Sequence, residues 1–367
     1  MLIGIPREIK PQEGRVALLP TQVKELVSRG HRVLVESDAG VLSEAPPEDY
    51  AAAGAELADN TADVYGKAEL IVKVKEILAP EYAYLRADHT LFTNVHAAAN
   101  REQLDKLLEA KLTAIAAEET HEFGSPNSVL AGEVGALEGA RLVLSPHGGT
   151  GRHFMPHFGA PAVKAVVLGL GGVGRGVLRT LLGLGMAAVG LDVDAPARRD
   201  AQLQWCRSDF IADHIDALPL YLREADLVLN CVLWDKSRTD HLITRQMLKD
   251  MKPGAVIVDS ACDPAGAIET SRPTTWKDPV YDVDGIRHFC VDNIPAAVPV
   301  TASAGYAAAI LPFVKLIAEH GALQACRENP RLARGLTVVR GILTHAEAAR
   351  VQGRPHTPVE TILAAPP

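Results

Sequence analysis

Cysteine is sparse and scattered in this 367-residue chain: five residues, at 206, 231, 262, 290 and 326, with no C-x-x-C pair. An odd, dispersed set excludes a disulfide framework and predicts reduced thiols in a cytoplasmic protein. Aromatic residues make up only 5% of the sequence, and lysine and arginine form no block. With a net charge of -8, neither nucleic acid nor an anionic membrane surface is expected as a partner. No basic leader precedes a long apolar stretch at the N-terminus, so no signal peptide is expected. Apolar runs free of charge are also short, Arg179 interrupting the best candidate, so no membrane span is expected. His147, His153 and His157 form H-x5-H-x3-H in a segment rich in Gly and Pro, with no H-E-x-x-H, and no metal is expected there. What remains is an ordinary globular composition in a chain long enough for two domains.

One stretch organises the rest. Ala165 to Leu168 is apolar and meets glycines at the spacing G-x-G-x-x-G: Gly169, Gly171 and Gly174, with Gly172 and Val173 between the last two. A helix-like run follows, then a second apolar run over 187–191 that ends on Asp192. In this pattern the first glycine permits a tight turn, the second lets a pyrophosphate approach the backbone, and the third lets helix and strand pack closely. The helix N-terminus offers free N–H groups to phosphate. Asp192 stands where a carboxylate accepts from ribose hydroxyls and repels a 2′-phosphate, which predicts NAD rather than NADP, although Arg198 and Arg199 lie just beyond.

Around this unit strands and helices alternate. Strands are predicted over 2–5, 31–36, 70–74, 90–95, 113–116, 227–232, 255–259 and 285–290. Helices are predicted over 21–28 with a capping Thr21, and over 49–54, 101–110, 127–144, 244–251 and 303–320. One more helix is expected after Leu336, and a loose tail from Gly353. The alternation predicts an α/β protein of two Rossmann-like domains with parallel sheets and the active-site cleft between them. The expected division is a discontinuous substrate or catalytic domain, 1–126 plus 303–367, around an NAD-binding domain over 127–302.

Several chemistry-bearing residues fall at predicted strand ends or loops, where open α/β sheets bind ligands. Arg15, in a glycine-flanked loop, is suited to grip a carboxylate; its alternative is a solvated surface arginine. Lys73 and Lys75 share one face of a strand and reach either a cleft or a protected edge. His96 suits proton transfer near neutral pH. Asp263, before a Pro/Gly turn, orients a water or an ammonium, or forms an Asx-turn.

Taken together, these segments resemble the alanine dehydrogenase family, related to the pyridine-nucleotide transhydrogenase alpha chain. The resemblance is carried by Pro6-Arg7-Glu8-Ile9-Lys10 with Arg15-Val16-Ala17-Leu18, by Val72 through Glu76, by Leu91-Phe92-Thr93 through His96, by the glycine motif with Asp192, and by Met251 through Asp259. The string from Glu269 through Tyr281 is the most specific. The resemblance implies a nicotinamide enzyme that reversibly deaminates L-alanine or a related amino acid. Arg15 and Lys75 would bind the substrate carboxylate and carbonyl. His96 would be the acid/base, and Asp263 would position water or ammonia. Asn293 would lie on the nicotinamide side, and Val232 and Leu233 complete the cofactor-binding set. It further implies a homo-oligomer, hexamer or dimer. The sequence departs from the family at Asn94 and Ala117, where tyrosine is usual, at Ala131-Gly132 in place of Met-Ser, and at Val300 in place of arginine. The first three exchange large side chains for small ones and imply a roomier pocket. The roomier pocket makes the alternatives a dehydrogenase of a larger amino or keto acid or an opine- or saccharopine-type reductive condensation; two readings of other classes are a non-catalytic NAD-binding regulator and a transhydrogenase-like module that docks a membrane partner.

Overall fold

Short runs rich in Val, Ile and Leu supply the strands of two sheets, and the structure, a computed structural model, describes all residues except 122–124, 236–237, 263–265 and 366–367. In chain order the strands are β1 (Leu2–Ile5), β2 (Arg32–Glu36), β3 (Glu56–Ala58), β4 (Leu70–Val72), β5 (Thr90–Thr93), β6 (Thr113–Ala116), β7 (Lys164–Leu168) and β8 (Ala187–Asp192). They continue with β9 (Phe210–His214), β10 (Leu227–Asn230), β11 (Val256–Asp259), β12 (Val280–Val283), β13 (Ile286–Phe289), β14 (Leu336–Val339) and β15 (Ile342–Leu343). The chain separates into two compact units, Met1–Asn127 with Val298–Pro367, and Ser128–Ala297.

In the first unit the strand order is β15-β14-β6-β5-β4-β1-β2-β3. From β6 to β3 all neighbours are parallel. β14 is antiparallel to β6 and to β15, so the sheet is mixed rather than purely parallel. The chain winds outward from β1 through β2 and β3, then returns to the other side of β1 for β4, β5 and β6. This reversal puts a topological switch point between β1 and β4, and ligands of such sheets bind beyond the strands' carboxyl ends at that crevice.

The second unit has the order β12-β13-β11-β10-β7-β8-β9, parallel except for the β12–β13 hairpin. Its switch point lies between β7 and β10, where the glycine motif leaves β7. Close helix packing supports it. A Cβ at Gly132, in the helix Ser128–Leu142, would lie 2.0 Å from the Val173 carbonyl oxygen, and one at Gly176, in the helix Gly172–Gly183, would lie 2.1 Å from that of Val129. These are backbone-to-backbone contacts that cannot yield. Alanine would add about 1 kcal/mol of helix propensity, but the overlap outweighs it, and Gly132→Ala is expected to destabilise the protein by about 1–3 kcal/mol. Thermal unfolding measures it; an unchanged midpoint would refute the packing argument.

Several local expectations change. No side chain caps the first helix at Thr21: Leu19 holds the cap position and Pro20 begins the helix Pro20–Ser28, where its missing N–H costs nothing. β3 and the helix Thr61–Lys67, capped by Asn60, lie in a stretch for which the sequence predicts no element. The tail is not loose: Val359–Ala364 is helical, and Arg327 donates to the Leu363 and Ala365 carbonyls at 2.9 and 2.8 Å. The longest apolar helix is Pro299–His320, not the run around Arg179; by length and composition it reaches membrane-spanning size. It buries Tyr306, Ile310, Val314 and Ile317 in the first unit's core.

Candidate active site

In the first unit charged side chains stand on the loops beyond β1, β4, β5 and β6, and Arg15, Glu8 and Glu118 all lie near the Tyr306 phenol. Arg15 is 3% exposed and lies in a loop held from both sides. Ser43 Oγ donates to the Gly14 carbonyl at 2.8 Å, and the Val16 N–H donates to Ser303 Oγ at 3.0 Å. The guanidinium is gripped by the buried Glu13 carboxylate, Nε to Oε1 at 2.8 Å and Nη2 to Oε2 at 2.5 Å. The Asn127 amide, turned with its oxygen toward Arg15, accepts from Nη1 at 3.1 Å and donates to the Ala302 carbonyl at 3.2 Å. Arg15 is thus buried and paired, not the solvated surface residue of the alternative reading.

Lys75 is 7% exposed, and its ammonium lies 3.2 Å from Glu76 Oε2. Glu76 also meets Lys10 Nζ at 2.9 Å. Burial works to raise the Glu76 carboxyl, but Lys75 and Lys10 outweigh it and hold the group well below the usual carboxylate range. Lys73 does not share this role. Its ammonium is buried between Glu81, at 2.7 Å, and Glu8, at 3.3 Å. Burial alone would lower the Lys73 pKa, yet the two carboxylates raise it.

His96 has φ of 47°, a left-handed conformation that side chains rarely adopt and that histidine tolerates better than most. Glu118, just beyond β6, explains it. Its Oε1 accepts from the His96 N–H at 2.6 Å, both oxygens accept from the Val95 N–H at 3.1 and 3.0 Å, and Oε1 stands 3.6 Å from His96 Nδ1. The imidazole is 45% exposed, so it is accessible while its backbone is pinned. Beside it, Tyr306 donates to the Lys73 carbonyl at 3.1 Å and reaches Asn94 Oδ1 at 3.5 Å. Burial pushes the Tyr306 phenol well up, keeping it a donor.

The second unit presents the glycine turn. Gly169 has φ of 87°, and a Cβ there would meet the Cys231 backbone at 3.0 Å. A Cβ at Gly174 would lie 1.9 Å from the Gly169 carbonyl oxygen, whereas at Gly171 it would face open space. Gly172 and Val173 begin the helix, whose N-cap Gly171 brings no side chain to its N–H groups. The cradle therefore fits a pyrophosphate. Asp192 Oδ2 accepts from the Leu170 N–H at 2.7 Å and Oδ1 from the Asp194 N–H at 2.9 Å; each oxygen has a second lone pair for a ribose hydroxyl. Arg198 donates to the Asp192 carbonyl at 2.8 Å and Arg199 pairs with Asp200, so both arginines are engaged within the chain.

At the end of β10, the Val232 N–H donates to Asn230 Oδ1 at 3.3 Å and the Leu233 side chain is 94% exposed. Asn293 is buried, and its carbonyl accepts from Trp276 Nε1 at 3.1 Å. Asp263 lies outside the described residues. Among the described residues no group of three or more His, Cys, Asp or Glu is arranged to hold a metal ion.

Glu8, Glu13, Glu118, Asn127 and Tyr306 were not singled out by sequence. Glu118 follows a predicted strand end, the same signal that drew attention to Lys75 and His96. Glu8, Asn127 and Tyr306 had no local signal, because their partners are distant in the chain, whereas Glu13 pairs with Arg15 two residues on. Of the small residues read as opening a pocket, Gly132 is fixed by packing against the Val173 carbonyl; Ala117 is fully buried in the core, Asn94 reaches Tyr306, and Ala131 is half-buried.

Residues 4–130 match the family model described as alanine dehydrogenase/PNT, N-terminal domain, and residues 135–346 the model described as alanine dehydrogenase/PNT, C-terminal domain. The chain is 40% identical over 361 residues to an alanine dehydrogenase of Halomonas elongata, covering 96% of this chain and 97% of that one. It is 37% identical over 371 residues to an alanine dehydrogenase of Mycobacterium tuberculosis, covering 99% and 100%. A solved structure of an L-alanine dehydrogenase superposes with a TM-score of 0.87 at 35% identity, covering 96% of this chain and 99% of that one.

Proposed function

The chain belongs to the alanine dehydrogenase/PNT family over nearly its whole length, and from that premise we propose that it is an NAD-dependent dehydrogenase interconverting L-alanine with pyruvate and ammonia. The observation that carries this reading is His96, accessible yet pinned by Glu118, in the same unit as the fixed cations Arg15 and Lys75. A nicotinamide, when bound, takes the hydride from the substrate Cα. Everything else falls to the chain's own residues. Arg15, its Nε/Nη2 edge held by Glu13, anchors the carboxylate with its fixed guanidinium, and Lys75 neutralises the carboxylate and the developing carbonyl oxygen. Holding the acid at two points supplies orientation, a large part of such rate enhancements. His96 takes a proton from the water that adds to the substrate imine and returns it to the departing nitrogen. Glu118 stabilises the imidazolium in between. Asp263 is assigned the water-positioning role by resemblance. NAD is favoured over NADP because Asp192 occupies the ribose end and Arg198 and Arg199 are engaged elsewhere. Alanine is favoured over a larger acid because the relatives matched over nearly the whole chain are alanine dehydrogenases and Gly132 is fixed by packing.

The test is NADH oxidation by purified protein with ammonium and 2-keto acids from glyoxylate and pyruvate to long and charged ones. Preference for pyruvate is expected; turnover of a larger acid alone would overturn the substrate, and no turnover would leave the NAD-binding regulator. Within this reading, Arg15→Lys keeps the charge and loses the guanidinium. Losing one charge-assisted hydrogen bond of about 1.5–3 kcal/mol is expected to raise the KM for pyruvate about 10–100-fold, with the NADH Kd unchanged.

A further inference from the structure

β4 closes at Val72, and the chain leaves the sheet before it reaches Lys75. The Lys73 N–H still donates to the Phe92 carbonyl at 3.1 Å. The next two N–H groups turn to a single atom: Glu8 Oε1 accepts from Val74 at 2.6 Å and from Lys75 at 3.3 Å. On the other side, Thr93 Oγ1 donates to the Lys75 carbonyl at 2.6 Å. Both main-chain polar groups of Lys75 are thus held by side chains rather than by a strand ladder. Glu8 is itself immobilised. It is 5% exposed, its second oxygen lies 3.3 Å from Lys73 Nζ, and Lys73 is tied to Glu81 at 2.7 Å. Tyr65 donates to the same Glu81 carboxylate at 2.9 Å.

We propose that Glu8 is a positioning residue for Lys75: it replaces the missing ladder beyond β4 and sets the point from which the Lys75 ammonium meets the substrate carboxylate. The inference rests on the dehydrogenase reading above. Glu8 acts as an acceptor of two N–H groups, not as a charge toward substrate, since the Lys75 ammonium is paired with Glu76. A carboxylate that merely fills the core would alter stability without altering the KM for the keto acid.

The experiment is steady-state kinetics with NADH, ammonium and pyruvate on the full chain. Glu8→Gln presents an amide oxygen to the same two N–H groups and leaves Lys73 and Glu81 as a balanced pair; the KM for pyruvate is expected to stay within about threefold. Glu8→Ala removes the acceptor, and two hydrogen bonds of ordinary strength translate to a KM rise of about tenfold or more, with the NADH Kd unchanged because the cofactor residues belong to the other unit. In a Lys75→Ala background the Glu8→Ala effect on KM should vanish, because the residue it positions is gone. Should Glu8→Ala fail to fold, Glu8→Asp, which keeps the charge but withdraws the acceptor, is expected to give the same KM rise. An unchanged KM in Glu8→Ala, an equal KM rise in Glu8→Gln, or a KM rise that persists without Lys75 overturns the proposal. A wild-type protein that fails to oxidise NADH with any of the keto acids overturns the dehydrogenase reading itself and this inference with it.

Discussion

Replacing His96 by asparagine is expected to lower kcat for pyruvate amination by about 10³-fold, the middle of the range for a general acid–base. Asparagine is chosen because the backbone here has φ of 47°. Asparagine adopts this left-handed region readily, whereas a β-branched residue would add strain. The two N–H groups that Glu118 holds belong to the main chain at 95 and 96, so the loop keeps its anchor in the variant. The loss is therefore chemical and not a loss of fold. Far-UV circular dichroism and the NADH Kd should match the wild type while turnover collapses. A loss smaller than about tenfold would remove His96 from the proton path.

The second large effect is on stability. Lys73→Met is expected to destabilise the protein by about 3–5 kcal/mol near pH 7.5, the cost of breaking a buried ion pair from one side. Methionine matches the lysine stem but leaves Glu8 and Glu81, each nearly fully buried, facing each other without a cation. The pH dependence has a definite sign. Burial already raises the Glu8 pKa above its usual value, with Lys73 opposing that rise. A carboxyl raised in the folded state binds more protons folded than unfolded. Its protonation therefore stabilises the fold as pH falls through the raised folded value toward the ordinary one near 4.5. Removing Lys73 removes the opposing cation, so the raised window widens. The gap between variant and wild type should narrow between pH 7.5 and pH 5.5, measured as urea midpoints. A gap that is constant, or that widens on acidification, would refute the account.

The glycine turn shows what a sequence carries plainly. The motif from Gly169 to Gly174 and Asp192 stand on a strand, turn, helix and strand that are contiguous in the chain, and each glycine has a local steric reason. The strands ending near Lys75, His96 and Asp259 are legible for a similar reason: buried apolar runs have a recognisable length, although Val72 and Thr93 close their strands two residues earlier than the apolar runs suggest. The helix Val359–Ala364 and the strands β14 and β15 were not legible, because they are stabilised by Arg327 and by β6, far away in the chain.

The sequence by itself determined the α/β class, the nucleotide motif and the family, because each rests on residue types at short fixed spacings. Only the tertiary structure decided between neighbours that look alike. Lys73 and Lys75 are two positions apart, yet one is locked between Glu8 and Glu81 and the other sits beside Glu76. The structure also decided that Gly132 is small for packing and that Glu118 holds the loop of His96. The physical reason is the same in each case. A charge or a small side chain acquires its role from what stands within a few ångströms, and those partners come from segments that chain order does not bring together.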